Sequence, residues 1–410
     1  MIDASTEPGA RLRELRKRRG LTQEELAEQA GLSLAVIKKI EQGGTARMET
    51  YRQIAQVLGV QTVWFVSPGS PRPTTDTGDD TVLAEMRSAV TPPIGFDGSP
   101  ILGTADYDDI ALPRLRDAAV ALGRAYHADR YDDLAHLLPA LVRSAHYHVL
   151  RFDDDGDDRA EAYRLRSAVL GLAGRYLIQV RAHDLALISL QRAQQDALVI
   201  GDMPLAAAAM SSQAWAMLRQ GRFWEVEQLC AQAADRIEPR MSTATTDEVA
   251  AWGKLLMRAS AGAVRNNRPE EANEYLTLAE TAATRVGREH MLAGQFAFGP
   301  LSAALQRPEN AMIEGRPDVA LEAMANLPRG VGRTNSSTRN RARLDEARAL
   351  IRMGDADKAT DVMAGLRHTA PEWLRYQQAA RDVTSEIVES RTRTLSNEQR
   401  NLVDFLDVED

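Results

Sequence analysis

The sequence predicts an all-α protein, in which a small N-terminal domain of five helices precedes an α-solenoid of helical hairpins. Aromatic residues make up only 5% of the 410 residues, whereas alanine and leucine are abundant. This balance favours closely packed helices over sheets. Apolar residues recur at helical spacing along most of the chain, and short turn-forming segments interrupt them repeatedly. Paired helices separated by short turns are typical of solenoids.

The formal net charge of −8 is unevenly distributed along the chain. Residues 10–66 carry ten Lys and Arg against six Asp and Glu, whereas residues 67–410 carry 40 against 50. A small basic region on a large acidic body is expected when only one end of a protein contacts phosphates. The alternative is that the arginines of residues 11–19 form only a solvated helix face.

The start and end of the second predicted helix are marked by local sequence signals. Thr22 and Glu25 have the spacing of a capping box, in which each side chain accepts a hydrogen bond from the backbone of the other residue. Gly31 fits the left-handed turn that ends a helix. These signals predict a short helix that runs to Ala30.

The third helix is predicted over residues 33–42, with Ser33 as its N-cap. Ile37 and Ile40 have the spacing of its buried face, which leaves the opposite face for contacts. A fourth helix is predicted to open at Thr45. Packed together, such helices hold the third at the surface, where it can enter the major groove of DNA.

The motif itself is LTQEELAEQAGLS at residues 21–33, followed by IKKIEQG at residues 37–43. It resembles the XRE family, the lambda-repressor and Cro-like helix-turn-helix proteins. Residues 54–60 and the pair Trp64 and Phe65 fit the fourth and fifth helices of that family. The resemblance covers residues 10–66 and implies binding to double-stranded DNA through the helix at residues 33–42.

The resemblance also implies roles for single residues. These are Gln23, Lys38 and Arg47 near the phosphates, Ser33 at the helix start, and Leu34, Ala35 and Lys39 at the base edges. Gln23 would contact a phosphate or brace the third helix. Lys39 can donate to guanine O6 or N7, whereas Leu34 and Ala35 can offer only apolar contact to a thymine methyl. Many relatives carry Gln, Arg or Ser at those two positions, so this chain departs from the family pattern there.

A linker is predicted over residues 67–81, where Pro and Gly are frequent and apolar periodicity is missing. Residues 82–111 are predicted to form a connecting segment, with a helix near residues 82–90. The chain from residue 112 to residue 410 is then predicted to form the solenoid.

Six turn-forming segments divide the solenoid region into helical pairs. They are residues 128–130, 181–183, 220–222, 267–269, 314–317 and 353–355. Ala182 and Gly221 lie 39 residues apart, as do Gly315 and Gly354. This spacing exceeds the period of about 34 residues of a standard tetratricopeptide repeat, so a divergent tetratricopeptide-like solenoid is predicted.

Terminal helices are predicted at Glu372–Arg391 and after Ser396. Apolar residues near this end are candidates for a dimer interface, namely Trp373, Leu374, Leu402, Val403, Phe405 and Leu406. The two-part plan resembles actinobacterial XRE regulators with a C-terminal tetratricopeptide-like domain. More distantly it resembles the peptide-sensing regulators of Gram-positive bacteria.

The sequence offers little that is typical of an enzyme. It has no phosphate-binding loop, dinucleotide fingerprint or zinc motif. The acidic run at residues 153–158 lacks two obligatory ligands of a calcium loop. Neither catalysis nor a cofactor or metal is therefore expected. Cys230 is the only cysteine, and no apolar run approaches membrane-spanning length, so a cytoplasmic protein is expected.

The predicted sensor site is the concave face of the solenoid. Its candidate effector-binding residues are Trp215, Trp252, Phe296 and Phe298, for which ordinary core packing is the alternative. The predicted function is a transcriptional regulator, for example a repressor. It would be a homodimer through its solenoid and would sense a small molecule or peptide. The alternatives are an adaptor whose solenoid binds a protein partner while the N-terminal domain only localises it to DNA, and an enzyme with a DNA-binding domain.

Overall fold

The computed structural model describes residues 8–19, 21–44, 46, 48–58, 77–96, 99–102, 111–152, 156–390 and 394–408. Within these ranges the regular secondary structure is helical apart from one short β-hairpin and one isolated bridge, which confirms the predicted all-α class. The chain divides into two compact units. The small unit comprises residues 1–75 with 265–268, and the large unit comprises residues 76–264 with 269–410.

The small unit contains four described helices. They are α1 (Pro8–Arg18), α2 (Gln23–Ala30), α3 (Leu34–Glu41) and α4 (Met48–Leu58). Fully buried aliphatic side chains from all four helices form its core, including Leu12, Leu26, Ile37 and Ile54. The predicted fifth helix lies outside the described residues, as does the predicted start of the fourth at Thr45.

The capping box predicted for α2 is confirmed, whereas the cap predicted for α3 is incomplete. The Glu25 N–H donates to Thr22 Oγ1 at 3.1 Å, and the Thr22 N–H donates to Glu25 Oε2 at 2.7 Å. Gly31 ends α2 with a φ of +66°, a left-handed conformation that glycine adopts without strain. Ser33 occupies the N-cap position of α3, but its hydroxyl forms no capping hydrogen bond.

This difference between the two caps can be tested by paired substitutions. We expect Thr22→Ala to cost about 1 kcal/mol of local stability, because it removes a capping bond. Ser33→Ala should cost only a few tenths, because no such bond is lost. Hydrogen exchange of the α2 and α3 amides in the full-length protein measures both effects. Equal acceleration of exchange in the two variants would contradict the structure of these caps.

The large unit contains the remaining elements. They are α5 (Thr77–Val90), α6 (Leu112–His127), α7 (Tyr131–Arg151), α8 (Asp157–Gln179), α9 (His183–Val199), α10 (Met203–Arg219), α11 (Phe223–Arg236), α12 (Thr246–Arg265), α13 (Pro269–Val286), β1 (His290–Leu292), β2 (Phe296–Phe298), α14 (Pro300–Ala304), α15 (Gln306–Ile313), α16 (Pro317–Ala325), α17 (Ser336–Arg352), α18 (Ala356–Thr369), α19 (Pro371–Arg375), α20 (Gln378–Glu389) and α21 (Asn397–Leu406). Helix α5 begins five residues before the predicted Val82, within the predicted linker. Periodicity could not locate this start, since the apolar pattern begins only at Val82.

The helices of a pair are joined by three-residue turns of one kind at all six predicted places. The central residue of each turn has a φ between +58° and +84°; these residues are Asp129, Arg181, Gly221, Asn267, Gly315 and Gly354. In the turns centred on Asp129, Arg181, Gly221, Gly315 and Gly354, the next N–H donates back into the preceding helix, as from Asp355 to the Leu350 carbonyl at 2.9 Å. Such a bond satisfies a carbonyl that the helix end would otherwise leave unpaired.

A fixed period of 39 residues is not observed. The turn centres Arg181 and Gly221 lie 40 residues apart, and Asp129 and Arg181 lie 52 apart. The marker Ala182 lies one residue beyond its turn centre. Helix length explains the variation, because α8 has 23 residues whereas α18 has 14.

Helix α7 of the first hairpin contacts α19, which follows the last hairpin of the large unit. Tyr131 of α7 and Trp373 of α19 are both buried in the same hydrophobic core. The Glu372 carboxylate accepts hydrogen bonds from the N–H groups of Tyr131 and Asp132 at 2.6 and 3.1 Å. These groups are the free donors at the N-terminus of α7, where an anion is stabilised.

Two predictions about the C-terminal region are wrong. The helix predicted over Glu372–Arg391 is divided into α19 and α20, and the break contains Gln377, whose side chain bonds to Gln179 of α8. Most of the residues suggested for dimerisation are buried within the unit, namely Trp373, Leu374, Leu402, Val403 and Leu406. Their side chains pack inside this unit, whereas the prediction placed them at its surface. The capping box at Ser396 is confirmed.

The β-hairpin was not predicted. Strands β1 and β2 pair antiparallel, with Leu292 opposite Phe296. Strands of three residues are too short to show an alternating pattern in the sequence. Among the described helices, none has both the length and the apolar composition that crossing a bilayer requires.

Candidate nucleic-acid interface and solenoid interior

Helix α3 has one buried face and one open face. Ile37 and Ile40 are fully buried in the core of the small unit. Ala35, Lys38 and Lys39 are exposed, and neither lysine forms an ion pair within the described part of the chain. The open face therefore combines a small apolar side chain with two free ammonium groups.

A polar cluster fixes α3 against α1 and α2. Arg16 donates to both Glu41 carboxylate oxygens, at 2.6 and 3.0 Å, and also to the Leu21 carbonyl at 2.8 Å. Gln23 Nε2 donates to Glu41 Oε2 at 2.7 Å. Burial opposes ionisation of Glu41, but the hydrogen bonds from Arg16 and Gln23 outweigh it and lower the pKa of the carboxyl group. We call these three residues the α3 brace.

The predicted DNA-contacting residues that do not belong to the open face have different surroundings. Gln23 belongs to the α3 brace, so the structure shows the bracing contact that was one of its two predicted roles. Ser33 is exposed and Leu34 is half-buried at the start of α3, next to the open face. Arg47 lies outside the described residues.

The aromatic residues predicted to bind an effector are mostly part of the core. Phe298 is fully buried and Trp252 nearly so, within one hydrophobic cluster. A Cβ atom at Gly253 would overlap Phe298 Cζ, so the glycine leaves the space that this ring fills. Trp215 is half-buried, with Arg219 5.9 Å from its ring centroid. For Phe298 and Trp252 the core-packing alternative describes the structure.

Phe296 differs because cations lie against its ring. The Arg175 guanidinium of α8 lies 5.3 Å from the ring centroid, and the Lys254 ammonium of α12 lies 5.4 Å from it. Arg175 also lies 5.4 Å from the centroid of Tyr126 and donates to Gln295 Oε1 in the hairpin turn. We call Arg175, Lys254, Gln295 and Phe296 the interior cluster.

Burial strongly perturbs both cations of the interior cluster. It lowers the pKa of Arg175 to about 10 and that of Lys254 to about 7. Sequence reasoning missed both residues. The available signal was a single cation within an apolar stretch, as in AGRYLI at residues 173–178 and WGKLLM at residues 252–257.

Further polar contacts join the hairpin to α6. The Ala297 N–H donates to Asn335 Oδ1 at 2.6 Å, and Asn335 Nδ2 lies 3.2 Å from His127 Nδ1. Burial and the nearby Arg175 lower the pKa of His127 to about 4, so this ring is neutral at physiological pH. Cys230 is fully buried, and burial raises its pKa to about 12, so its thiol is a packing group.

Comparison with known proteins identifies the small unit. Residues 12–65 match the helix-turn-helix family model, a range that holds most of α1 and all of α2 to α4. The chain matches no curated protein sequence.

Two solved structures are similar to the chain. One is the crystal structure of Bacillus thuringiensis PlcR in complex with the peptide PapR7 and DNA, whose sequence is 14% identical to this chain. The match covers 78% of this chain and 96% of that chain, with a TM-score of 0.31. The other is the crystal structure of the PrgX/iCF10 complex, whose sequence is 10% identical to this chain. The match covers 98% of each chain, with a TM-score of 0.24. Both TM-scores are low, so neither structure defines the arrangement of this chain.

Proposed function

We propose that this protein is a sequence-specific DNA-binding transcriptional regulator whose α3 enters the major groove. The observation that carries the proposal is the open face of α3, where Lys38 and Lys39 form no ion pair with any described residue, on a helix fixed by the α3 brace. Free ammonium groups beside a small apolar side chain suit both phosphates and base edges. The match of residues 12–65 to the helix-turn-helix family supports the same conclusion.

We further propose that the protein acts as a homodimer and that the large unit senses an effector. A single helix-turn-helix domain covers little DNA, whereas two domains related by a two-fold axis match half-sites about one DNA turn apart. The residues predicted to form the dimer contact near the C-terminus are mostly buried, so the contact would use another surface of the large unit.

The proposed roles of the two lysines differ and can be separated. We expect Lys39→Ala to reduce discrimination at one base pair by ~1–3 kcal/mol, because it removes a donor to a guanine edge. Lys38→Ala should weaken binding to all duplexes about equally and reduce the salt slope by about 1, because it removes a phosphate contact. Titrations of the full-length protein on selected operators and their single-base variants, at several salt concentrations, measure both effects.

Lys358→Ala, at an exposed lysine of the large unit, is the matched control and should change neither quantity. A uniform loss of affinity in both α3 variants would show that Lys39 does not read a base. Equal binding of the unmodified protein to all duplexes would instead favour an adaptor that is only localised by DNA.

A further inference from the structure

The interior cluster contains two buried cations that have no carboxylate partner among the residues that the structure describes. Arg175 is 3% exposed and Lys254 is 6% exposed, yet neither forms an ion pair with any described carboxylate. Another buried arginine of the same unit is fully paired, since Arg166 donates to both carboxylate oxygens of Asp196 at 2.7 Å. Buried charges in proteins are normally paired, because an unpaired one loses its hydration without compensation.

The present partners of these two cations are neutral. Their shared contact is the ring of Phe296, and the hydrogen bond from Arg175 goes to the amide oxygen of Gln295. Arg175 Nε and Gln295 Nε2 are buried donors that find no acceptor in the described part of the chain. The cluster therefore has more donors than acceptors, and an anion with several lone pairs would satisfy it.

Neighbouring charges limit how much negative charge the cluster can accept. Arg258 lowers the pKa of Lys254, whereas Glu289 and Glu309 raise it. Glu289 does not reach the ammonium, because it accepts hydrogen bonds from the Leu301 and Ser302 N–H groups at 2.8 and 2.9 Å. Because these two carboxylates offset part of the positive charge, the cluster suits a monoanion better than a phosphate dianion.

We infer that the effector of the large unit carries a carboxylate group, which binds to Arg175 and Lys254 in place of the Phe296 ring. A carboxylate matches the fork of donors on a guanidinium and can also accept from an ammonium. Phe296 and Gln295 belong to a hairpin with strands of three residues, an element with little stability of its own, so its ring can be displaced. This inference rests on the effector-sensing part of the proposed function.

The shared chemistry, a carboxylate, could come from a small organic acid or from a peptide C-terminus. Isothermal titration of the full-length protein, at constant ionic strength and without DNA, would use propionate, benzoate and trialanine with a free or an amidated C-terminus. We expect saturable binding of at least one probe that has a free carboxylate, and no binding of the amide. Binding of trialanine alone would identify a peptide C-terminus as the source of the carboxylate. Binding of the organic acids alone would identify a small molecule.

Three variants of the interior cluster and one control variant give the test its specificity. Lys254→Met and Arg175→Met should each lower the affinity for the carboxylate probe at least 10-fold. Phe296→Ala should bind the probe as tightly as the unmodified protein or more tightly. Lys358→Met, at an exposed lysine of the same unit, should bind normally. The absence of saturable binding by every probe would overturn the inference, as would unchanged binding by Lys254→Met.

Operator titrations on the same samples separate this inference from the proposed regulator. A protein that binds its operator but no carboxylate would contradict only the effector chemistry. A protein that binds a carboxylate but no operator would contradict only the DNA-binding function. Normal operator binding and an unchanged circular dichroism spectrum would exclude misfolding as the cause of a lost carboxylate signal.

Discussion

Replacing Glu41 with alanine is expected to unfold the small unit and to abolish operator binding. The substitution leaves Arg16, which is buried, without its carboxylate partner and also frees the Gln23 amide. Removing one partner of a buried ion pair costs about 3–5 kcal/mol. A domain of roughly 60 residues has little more stability than this, so most molecules should lose the fold of α3. Operator titration and hydrogen exchange of the α3 amides in the full-length protein measure the loss.

Two variants control this experiment. Glu28→Ala removes the same charge from an exposed position of α2, so it should leave operator affinity nearly unchanged. The double variant Arg16→Met with Glu41→Leu replaces the pair with apolar side chains and should recover most of the stability, since such replacements are often neutral. Full operator affinity of Glu41→Ala would show that the α3 brace does not hold the reading helix.

Local chemistry made the helix boundaries predictable. The capping box of Thr22 and Glu25 and the turn centres Gly221 and Gly354 depend only on neighbouring residues, so short sequence signals locate them. The period between turns was not predictable in this way, because it follows from helix lengths that vary with packing. Asp129 and other non-glycine turn centres show that the turn geometry, rather than glycine itself, is repeated.

Contacts between distant parts of the chain were the features that the sequence did not reveal. Glu372 binds the start of α7 from 241 residues away, and Arg175 bonds to Gln295 across 120 residues. Aromatic residues within amphipathic helices predicted a sensor face, but only the structure separates Phe296, which contacts cations, from Phe298, which fills the core. Whether a buried cation has a partner depends on the tertiary fold, so the interior cluster could not be predicted.

The second large effect is a gain in stability when Lys254 is replaced with methionine. The ordinary lysine pKa of 10.5 applies to the unfolded chain, and burial lowers that of the folded protein to about 7. Between these values the unfolded state binds more protons, so stability rises with pH in that window. At pH 7 and below, the difference corresponds to a penalty of roughly 5 kcal/mol on the folded state, which Lys254→Met should remove.

Denaturant unfolding of the full-length protein from pH 6 to pH 10, followed by tryptophan fluorescence, measures this effect. The stability difference between Lys254→Met and the unmodified protein should be largest near pH 6 to 7 and should shrink as pH approaches 10. Lys358→Met, where the lysine is exposed and paired with Asp355, should show no such difference.

A carboxylate bound at the interior cluster would offset the same penalty, so a saturating concentration of the probe should stabilise the unmodified protein but not Lys254→Met. A Lys254→Met protein that is less stable than the unmodified one at pH 7 would mean that the ammonium already has a stabilising partner, and the interior cluster would then have no need of an anion.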